Sequence, residues 1–233
     1  MAAIRTAAAA REFLTANTFF GSLSGDLVDC LIERGIVRRL RTGHVFFEQG
    51  DAGDSLWIIL SGSVKIVTIV GDARPVVLNF LGRGDIFGEI AALDGGMRSG
   101  TAIALEPTDV FILYRRDLLS VLRQSSDALL EILCLFCEKL RVTSAIVENS
   151  ARAMQGRFAN GLQRLAELHG RSTRRGIEID LAAKQGELGE YFGLSRANTS
   201  RLINLFEREG ILESDGRTLI IKNESGLSKM VDQ

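Results

Sequence analysis

The chain has little that would suit a membrane protein, a secreted scaffold or a metal centre. Its 233 residues include three cysteines and two histidines. An odd number of cysteines without framework spacing argues against a disulfide-built domain and points to a reducing, cytoplasmic setting. Cys134 and Cys137 stand three apart, but one helix offers at most two ligands and no further Cys/His cluster joins them. We read both as small core residues, and His44 and His169 as solvated or packed side chains. No apolar run reaches the length of a membrane span. The start of the chain, Ala7 to Ala10 running into Arg11-Glu12, lacks the apolar stretch of a signal peptide and reads as a helical or frayed terminus. Net charge is only −1, so no strong field attracts nucleic acid to the whole chain. The halves differ slightly: 13 Lys and Arg face 11 Asp and Glu in 151–233, and 15 face 18 in 1–150. Enzyme signatures are missing too. No nucleophile stands beside a base, and Gly82-x-Gly84-x-x-x-Gly88 has the wrong spacing for a dinucleotide loop, so a non-enzymatic role is expected.

What is present changes character along the chain. The segment to about Arg41 reads as helical, with Leu27, Leu31 and Ile32 on one face. Short β runs follow at His44–Phe47, Ser55–Leu60, Ser63–Val70, Pro75–Phe80, Thr101–Leu105 and Val110–Tyr114, punctuated by glycines at short intervals. Many short strands with regular turn signals indicate an antiparallel barrel or jelly roll. After Tyr114 the period becomes helical. Leu129, Leu133, Phe136, Leu140, Thr143 and Val147 repeat at alternating steps of four and three, a heptad seam that a second copy of the chain would cover. The last third reads as helix, turn, helix and hairpin. Ser195 is a reasonable N-cap, Thr199, Leu202, Ile203 and Phe206 form an apolar stripe, and Arg196, Ala197, Ser200, Arg201 and Asn204 occupy the other face. Two arginines, an amide and small residues on one exposed face suit a major groove. Asp215-Gly216 supplies the turn of a terminal hairpin.

The stretch Gly84-Asp85-Ile86-Phe87-Gly88-Glu89-Ile90-Ala91-Ala92-Leu93, closed by Asp94-Gly95-Gly96-Met97-Arg98-Ser99, carries the chemistry. A glycine ahead of one helical turn lets backbone N–H groups approach an anion. Arg98 adds a permanently charged fork suited to phosphate. Glu89 would repel that phosphate unless it has another task, such as accepting hydrogen bonds from a sugar hydroxyl. A phosphate, a sugar and a tight pocket describe a nucleotide.

Phe-Gly-Glu-Ile-Ala-Ala-Leu followed by a short turn and Arg-Ser resembles the phosphate-binding cassette of cyclic-nucleotide-binding domains. Gly43, Gly50-Asp51 and Gly62 also fall where that family places its turn glycines. The resemblance implies that Gly88 and Ile90 line the pocket, Glu89 holds the ribose hydroxyl, Arg98 the cyclic phosphate, and Ser99 adds a hydroxyl donor. Gly100 stands where the family usually has alanine, a change that would loosen the pocket floor. Glu138 to Ser144 resembles a helix of the cAMP-receptor members of the Crp/Fnr family, which implies that Thr143 and Ser144 reach the adenine and favour cAMP over cGMP. Gly193-Leu194-Ser195-Arg196, Ser200-Arg201-Leu202-Ile203 and Glu209-Gly210-Ile211-Leu212 resemble the recognition unit of Crp/Fnr-type regulators. Ser195, Arg196, Asn198, Ser200 and Arg201 are thereby assigned to double-stranded DNA. Ala197 replaces a glutamate frequent in the family, so a half-site different from that of the cAMP-receptor branch is expected.

The expectation is an α+β chain: an antiparallel jelly-roll nucleotide-binding domain over 1–116, a dimerisation helix over 117–150 and a winged helix-turn-helix over 151–233. The expected protein is a homodimeric, cytoplasmic regulator responding to cAMP or cGMP, with DNA and RNA polymerase as partners and no membrane or metal. The alternative is a ligand-independent regulator of the same family with a vestigial pocket.

Overall fold

The structure is a computed structural model that describes residues 11, 20, 23–70, 74–127, 129–130, 132–134, 136–137, 140–141, 154–181, 183, 185–215 and 218–231. It divides into two compact units, one drawn from Met1–Thr68 and Leu81–Val142, the other from Ile69–Phe80 and Thr143–Gln233.

In the first unit, helix α1 (Gly25–Arg34) buries Val28 and Leu31, with Leu27 and Ile32 packed beside them. The helix expected to run to about Arg41 stops here. Gly35 is extended, and Ile36–Leu40 form strand β1, paired along its length with β8 (Thr108–Tyr114). Adjacent β-branched residues at 36 and 37 favour the strand. Close packing also fixes the crossing, because a Cβ on Gly35 would lie 1.9 Å from the Phe111 ring.

The remaining strands of the roll are β2 (Val45–Phe47), β3 (Ser55–Ser61), β4 (Val64–Val70), β5 (Arg74–Leu81), β6 (Ile86–Phe87) and β7 (Thr101–Ala104). Two four-stranded sheets result, with orders β1-β8-β3-β6 and β2-β7-β4-β5. Strand β3 is buried along both faces. Period-two alternation sends Trp57 and Ile59 into the roll with Phe87, Ala102 and Val110, and sends Leu56, Ile58 and Leu60 toward the helices. Its uninterrupted apolar run therefore reflects two neighbouring cores. Helix α2 (Glu89–Asp94) follows β6, and α3 (Arg115–Leu122) buries Leu118, Val121 and Leu122 in the outer core.

Residues 126–141 are helical where described. Ile132 is buried in the core of its own unit and Phe136 packs against it, whereas Leu129, Leu130, Leu133 and Leu140 are exposed. Phe136 thus leaves the expected seam for the roll, because residues four apart share a helix face and Ile132 is already committed there. Thr143 and Val147 of that seam lie outside the described residues.

The second unit contains α4 (Met154–His169), β9 (Gly170–Thr173), β10 (Gly176–Asp180), α5 (Gln185–Phe192), α6 (Arg196–Arg208), β11 (Leu212–Ser214), β12 (Thr218–Ile221) and α7 (Glu224–Val231). Its sheet has the order β11-β12-β10-β9 and is antiparallel throughout. The β9–β10 hairpin and α7 were not anticipated. Ile69–Phe80 belongs to this unit: His169 Nε2 donates to the Phe80 carbonyl at 2.7 Å, and the Phe80 and Tyr191 rings lie 5.3 Å apart. Burial pushes the Tyr191 phenol's pKa up; nearby Arg164 lowers it and Glu167 raises it.

Phe158 meets Phe192 and Phe206 edge-on, with centroids 4.9 and 5.1 Å apart, and these rings anchor the unit's core. Gly161 lets α4 approach that cluster, since a Cβ there would lie 2.3 Å from Phe192 Cδ1. Gly161→Ala is accordingly expected to destabilise the protein by roughly 1–3 kcal/mol in urea unfolding. Gly186→Ala, where a Cβ meets nothing within 4 Å, should be neutral or stabilising by up to about 1 kcal/mol.

Candidate functional site

Two clusters, one in each unit, collect the residues singled out above. The first is built at the end of β6, which pairs with β3 so that Phe87 stands opposite Trp57. Gly88 then takes a left-handed conformation, φ 75°, as the N-cap of α2. A side chain is excluded there twice over. The left-handed region strains any L-residue, and a Cβ would lie 2.7 Å from Arg98 Nη1 and 2.9 Å from the Trp57 ring. Glu89 begins α2 and is buried, with 5% of its surface exposed.

Arg98 comes to the same place from the other side of the Gly95-Gly96 turn. Its N–H donates to the Asp51 carbonyl at 2.8 Å, and its own carbonyl accepts from Gly50 N–H at 3.0 Å. The backbone is thus pinned to the turn between β2 and β3. The side chain is 4% exposed. Nη1 donates to the Gly88 carbonyl at 2.7 Å, and Nη2 reaches Ser55 Oγ at 3.4 Å, which in turn donates to Asp54 Oδ1 at 3.1 Å. Arg98 Nε is buried without a hydrogen-bond partner. Burial lowers the pKa of the guanidinium, while Asp54, Glu89 and Asp51, in that order, raise it. Arginine nevertheless remains protonated at neutral pH.

The arrangement is therefore a buried cation whose Nε–H is unused, beside a buried carboxylate. Ile90 and Ser99 are exposed at the mouth of the same segment. Thr143 and Ser144 lie outside the described residues. Gly100 does not loosen the floor as expected. It is buried, and a Cβ there would approach Ile66 Cγ2 and Val67 O to 3.0 Å, tighter than ordinary contact. Sequence reasoning missed Phe47, Ser55 and Trp57, which touch Arg98. Their only signal was the alternation of β3, which places Ser55, Trp57 and Ile59 on one face.

The second cluster lies in the helical pair α5 and α6. Gly193, φ 65°, turns the chain out of α5, and Leu194 N–H closes on the Gly189 carbonyl at 2.7 Å. Ser195 caps α6, its hydroxyl accepting from Asn198 N–H at 3.2 Å. Thr199, Leu202, Ile203 and Phe206 are buried, leaving Arg196, Ala197, Arg201 and Asn204 exposed along one side. Ser200 is half-buried. Asn198 is also half-buried, its amide directed at Met154 Sδ at 3.3 Å. The β11–β12 hairpin stands beside α6, with Asp215 Oδ1 accepting from Thr218 N–H at 2.7 Å; the tip at 216–217 lies outside the described residues. Among the described residues, no group of three or more His, Cys, Asp or Glu could hold a metal ion, and no helix is long and apolar enough to cross a membrane.

Comparison with known proteins places both clusters within matched regions. Residues 37–125 match the cyclic nucleotide-binding domain, and residues 156–230 match the Crp-like helix-turn-helix domain. The chain is 27% identical over 212 residues to the cyclic AMP receptor protein of Thermus thermophilus, covering 91% of this chain and 95% of that one. It is 27% identical over 188 residues to the CRP-like cAMP-activated global transcriptional regulator of Mycobacterium tuberculosis, covering 80% and 84%. Among solved structures, FixK2 from Bradyrhizobium japonicum superposes with a TM-score of 0.74 over 84% of this chain and 96% of that chain, at 18% identity, a likeness of fold.

The cap geometry separates two roles for Ser195. Ser195→Ala should lower stability by about 1 kcal/mol through loss of the cap alone. Thermal unfolding without DNA checks this, and an unchanged transition would leave Ser195 no structural role in α6.

Proposed function

The chain belongs to the Crp/Fnr family of transcription regulators, and from that premise we propose that it is a cyclic-nucleotide-responsive, DNA-binding homodimer. The observation that carries the ligand half of this reading is Arg98, a buried guanidinium whose Nε has no partner. An unpaired buried donor on a cation is costly, and an anionic oxygen is the group that relieves it. A cyclic phosphate supplies that oxygen. Glu89, buried beside it, suits a ribose hydroxyl, and Gly88 gives the backbone room to approach. The site comprises Gly88, Glu89, Ile90, Arg98 and Ser99, with Thr143 and Ser144 completing it over the base. The ligand is cAMP, with cGMP as the competitor; the names of the relatives support cAMP.

The regulator works as a dimer through the helix in 117–150, whose exposed Leu133 and Leu140 suit a second copy. Each copy presents α6 to a major groove, so the operator is a palindrome of double-stranded DNA. Arg196 and Arg201 carry base or phosphate contacts, with Ser195, Asn198 and Ser200 at closer range. Nucleotide shifts the dimer toward its DNA-competent state only by as much as it binds that state better. The protein is cytoplasmic and acts with RNA polymerase.

One observation favours the alternative, a regulator that needs no ligand. The ends of the Arg98 fork already bond to Gly88 O and toward Ser55 Oγ within the protein. Operator affinity measured with and without cAMP separates the two readings.

Arg98→Leu should abolish cAMP binding in calorimetry and leave the dimer intact; unchanged affinity would remove Arg98 from the pocket. Arg196→Ala should weaken specific DNA binding by roughly 1–3 kcal/mol in competition gel shifts. An equal loss on all sequences would make it a phosphate contact alone.

A further inference from the structure

We infer that Phe47 and Trp57 are positioning residues for Arg98, holding its guanidinium by ring stacking so that its Nε–H stays available to an anionic ligand. This rests on the nucleotide-binding reading of the Arg98 site and assigns the means by which that site is kept ready.

The Arg98 Cζ lies 4.3 Å from the Phe47 ring centre and 4.8 Å from that of Trp57, and the two rings are 5.1 Å apart. These separations place both rings against the guanidinium as a shallow corner, their planes tilted by 32°. The corner is rigid. Trp57 stacks on Phe87 at 5.5 Å with planes 13° apart, and Phe46 meets Phe87 edge-on at 4.9 Å. These rings come from β2, β3 and β6, so hydrogen-bonded strands set their positions.

Aromatic faces suit this task in a way that carboxylates do not. A buried cation needs compensation. A carboxylate would provide it by accepting from the guanidinium edge, which occupies the donors a phosphate must use. Ring faces stabilise the charge by their quadrupole and leave the edge alone. Asp54 is held one step back, through Ser55, and the unpartnered Nε belongs to the edge that stacking spares. Phe47 and Trp57 therefore hold Arg98 in place, and an aliphatic side chain at either position loses the stacking.

The test uses the full-length protein and titrates cAMP and cGMP by calorimetry into wild type, Trp57→Leu, Trp57→Phe and Phe47→Leu, with unfolding midpoints measured alongside. The leucine variants should bind roughly tenfold more weakly, with Trp57→Phe returning to within about threefold of wild type. Trp57 is the single tryptophan, so its emission also reports on the corner. Saturating nucleotide should shift that emission in wild type and leave it unmoved in Arg98→Leu. Wild-type protein that binds neither nucleotide would overturn the site reading and this inference with it. Binding by wild type with undiminished affinity in Phe47→Leu and Trp57→Leu would overturn the inference alone. A loss in Trp57→Leu that Trp57→Phe does not restore would also overturn it, since stacking needs only an aromatic face. Should Trp57→Leu fail to fold, Phe47→Leu with Trp57→Phe decides the matter.

Discussion

Placing a guanidinium inside a β-roll is unfavourable by several kcal/mol unless its surroundings restore what water supplied. The neighbourhood of Arg98 is arranged around that cost. The left-handed turn at Gly88 brings a carbonyl to Nη1, Ser55 relays toward Asp54, and two aromatic rings face the cation. Even the backbone at 98 is tied down, through Gly50 and Asp51. Glu89, buried at the start of α2, is a nearby acid that raises the pKa of the guanidinium. The proposed nucleotide would relieve this tension, since a ligand anion would satisfy the Nε donor that the protein leaves unmatched.

Strand β3 links that local chemistry to the rest of its unit. One face carries Ser55 and Trp57 toward Arg98, and the other packs Leu56 and Ile58 with residues of α1, α3 and the helix near Ile132. Interiors are close-packed, and β3 is the element that belongs to both cores. The same unit holds the exposed leucines at 130, 133 and 140, within a few turns of Ile132. Strand, core and helix face thus form a contiguous path of packed side chains.

Residue types with few alternative uses were legible in the sequence. Arg98 and Glu89 at their spacing, the glycine turns, and the Gly193-Leu194-Ser195 corner before an amphipathic helix all depend on local chemistry that sequence displays. Features decided by tertiary packing were harder to read. The segment after α1 reads as helix in the sequence because Arg38 and Arg39 hide the alternation of a half-exposed edge strand. The polar β9–β10 hairpin has no apolar stripe to reveal it, and its strand character comes from pairing with β12. Nothing in the sequence beyond the alternation of β3 marks Trp57 for its place beside Arg98, which depends on the pairing of β3 with β6. The heptad at 129–140 was visible, yet Phe136 is drawn to its own roll by Ile132, which period counting cannot weigh.

The second unit is discontinuous in sequence. Ile69–Phe80 joins residues beyond 143, and His169 and Tyr191 seat Phe80. On the ribosome this segment emerges long before α4 and α5 exist, so Phe80 must wait for His169 and Tyr191. At ordinary elongation rates of about 5–20 residues per second, that interval lasts several seconds. The second unit therefore draws on residues made well before its helices, and β5 among them pairs with β4 of the roll.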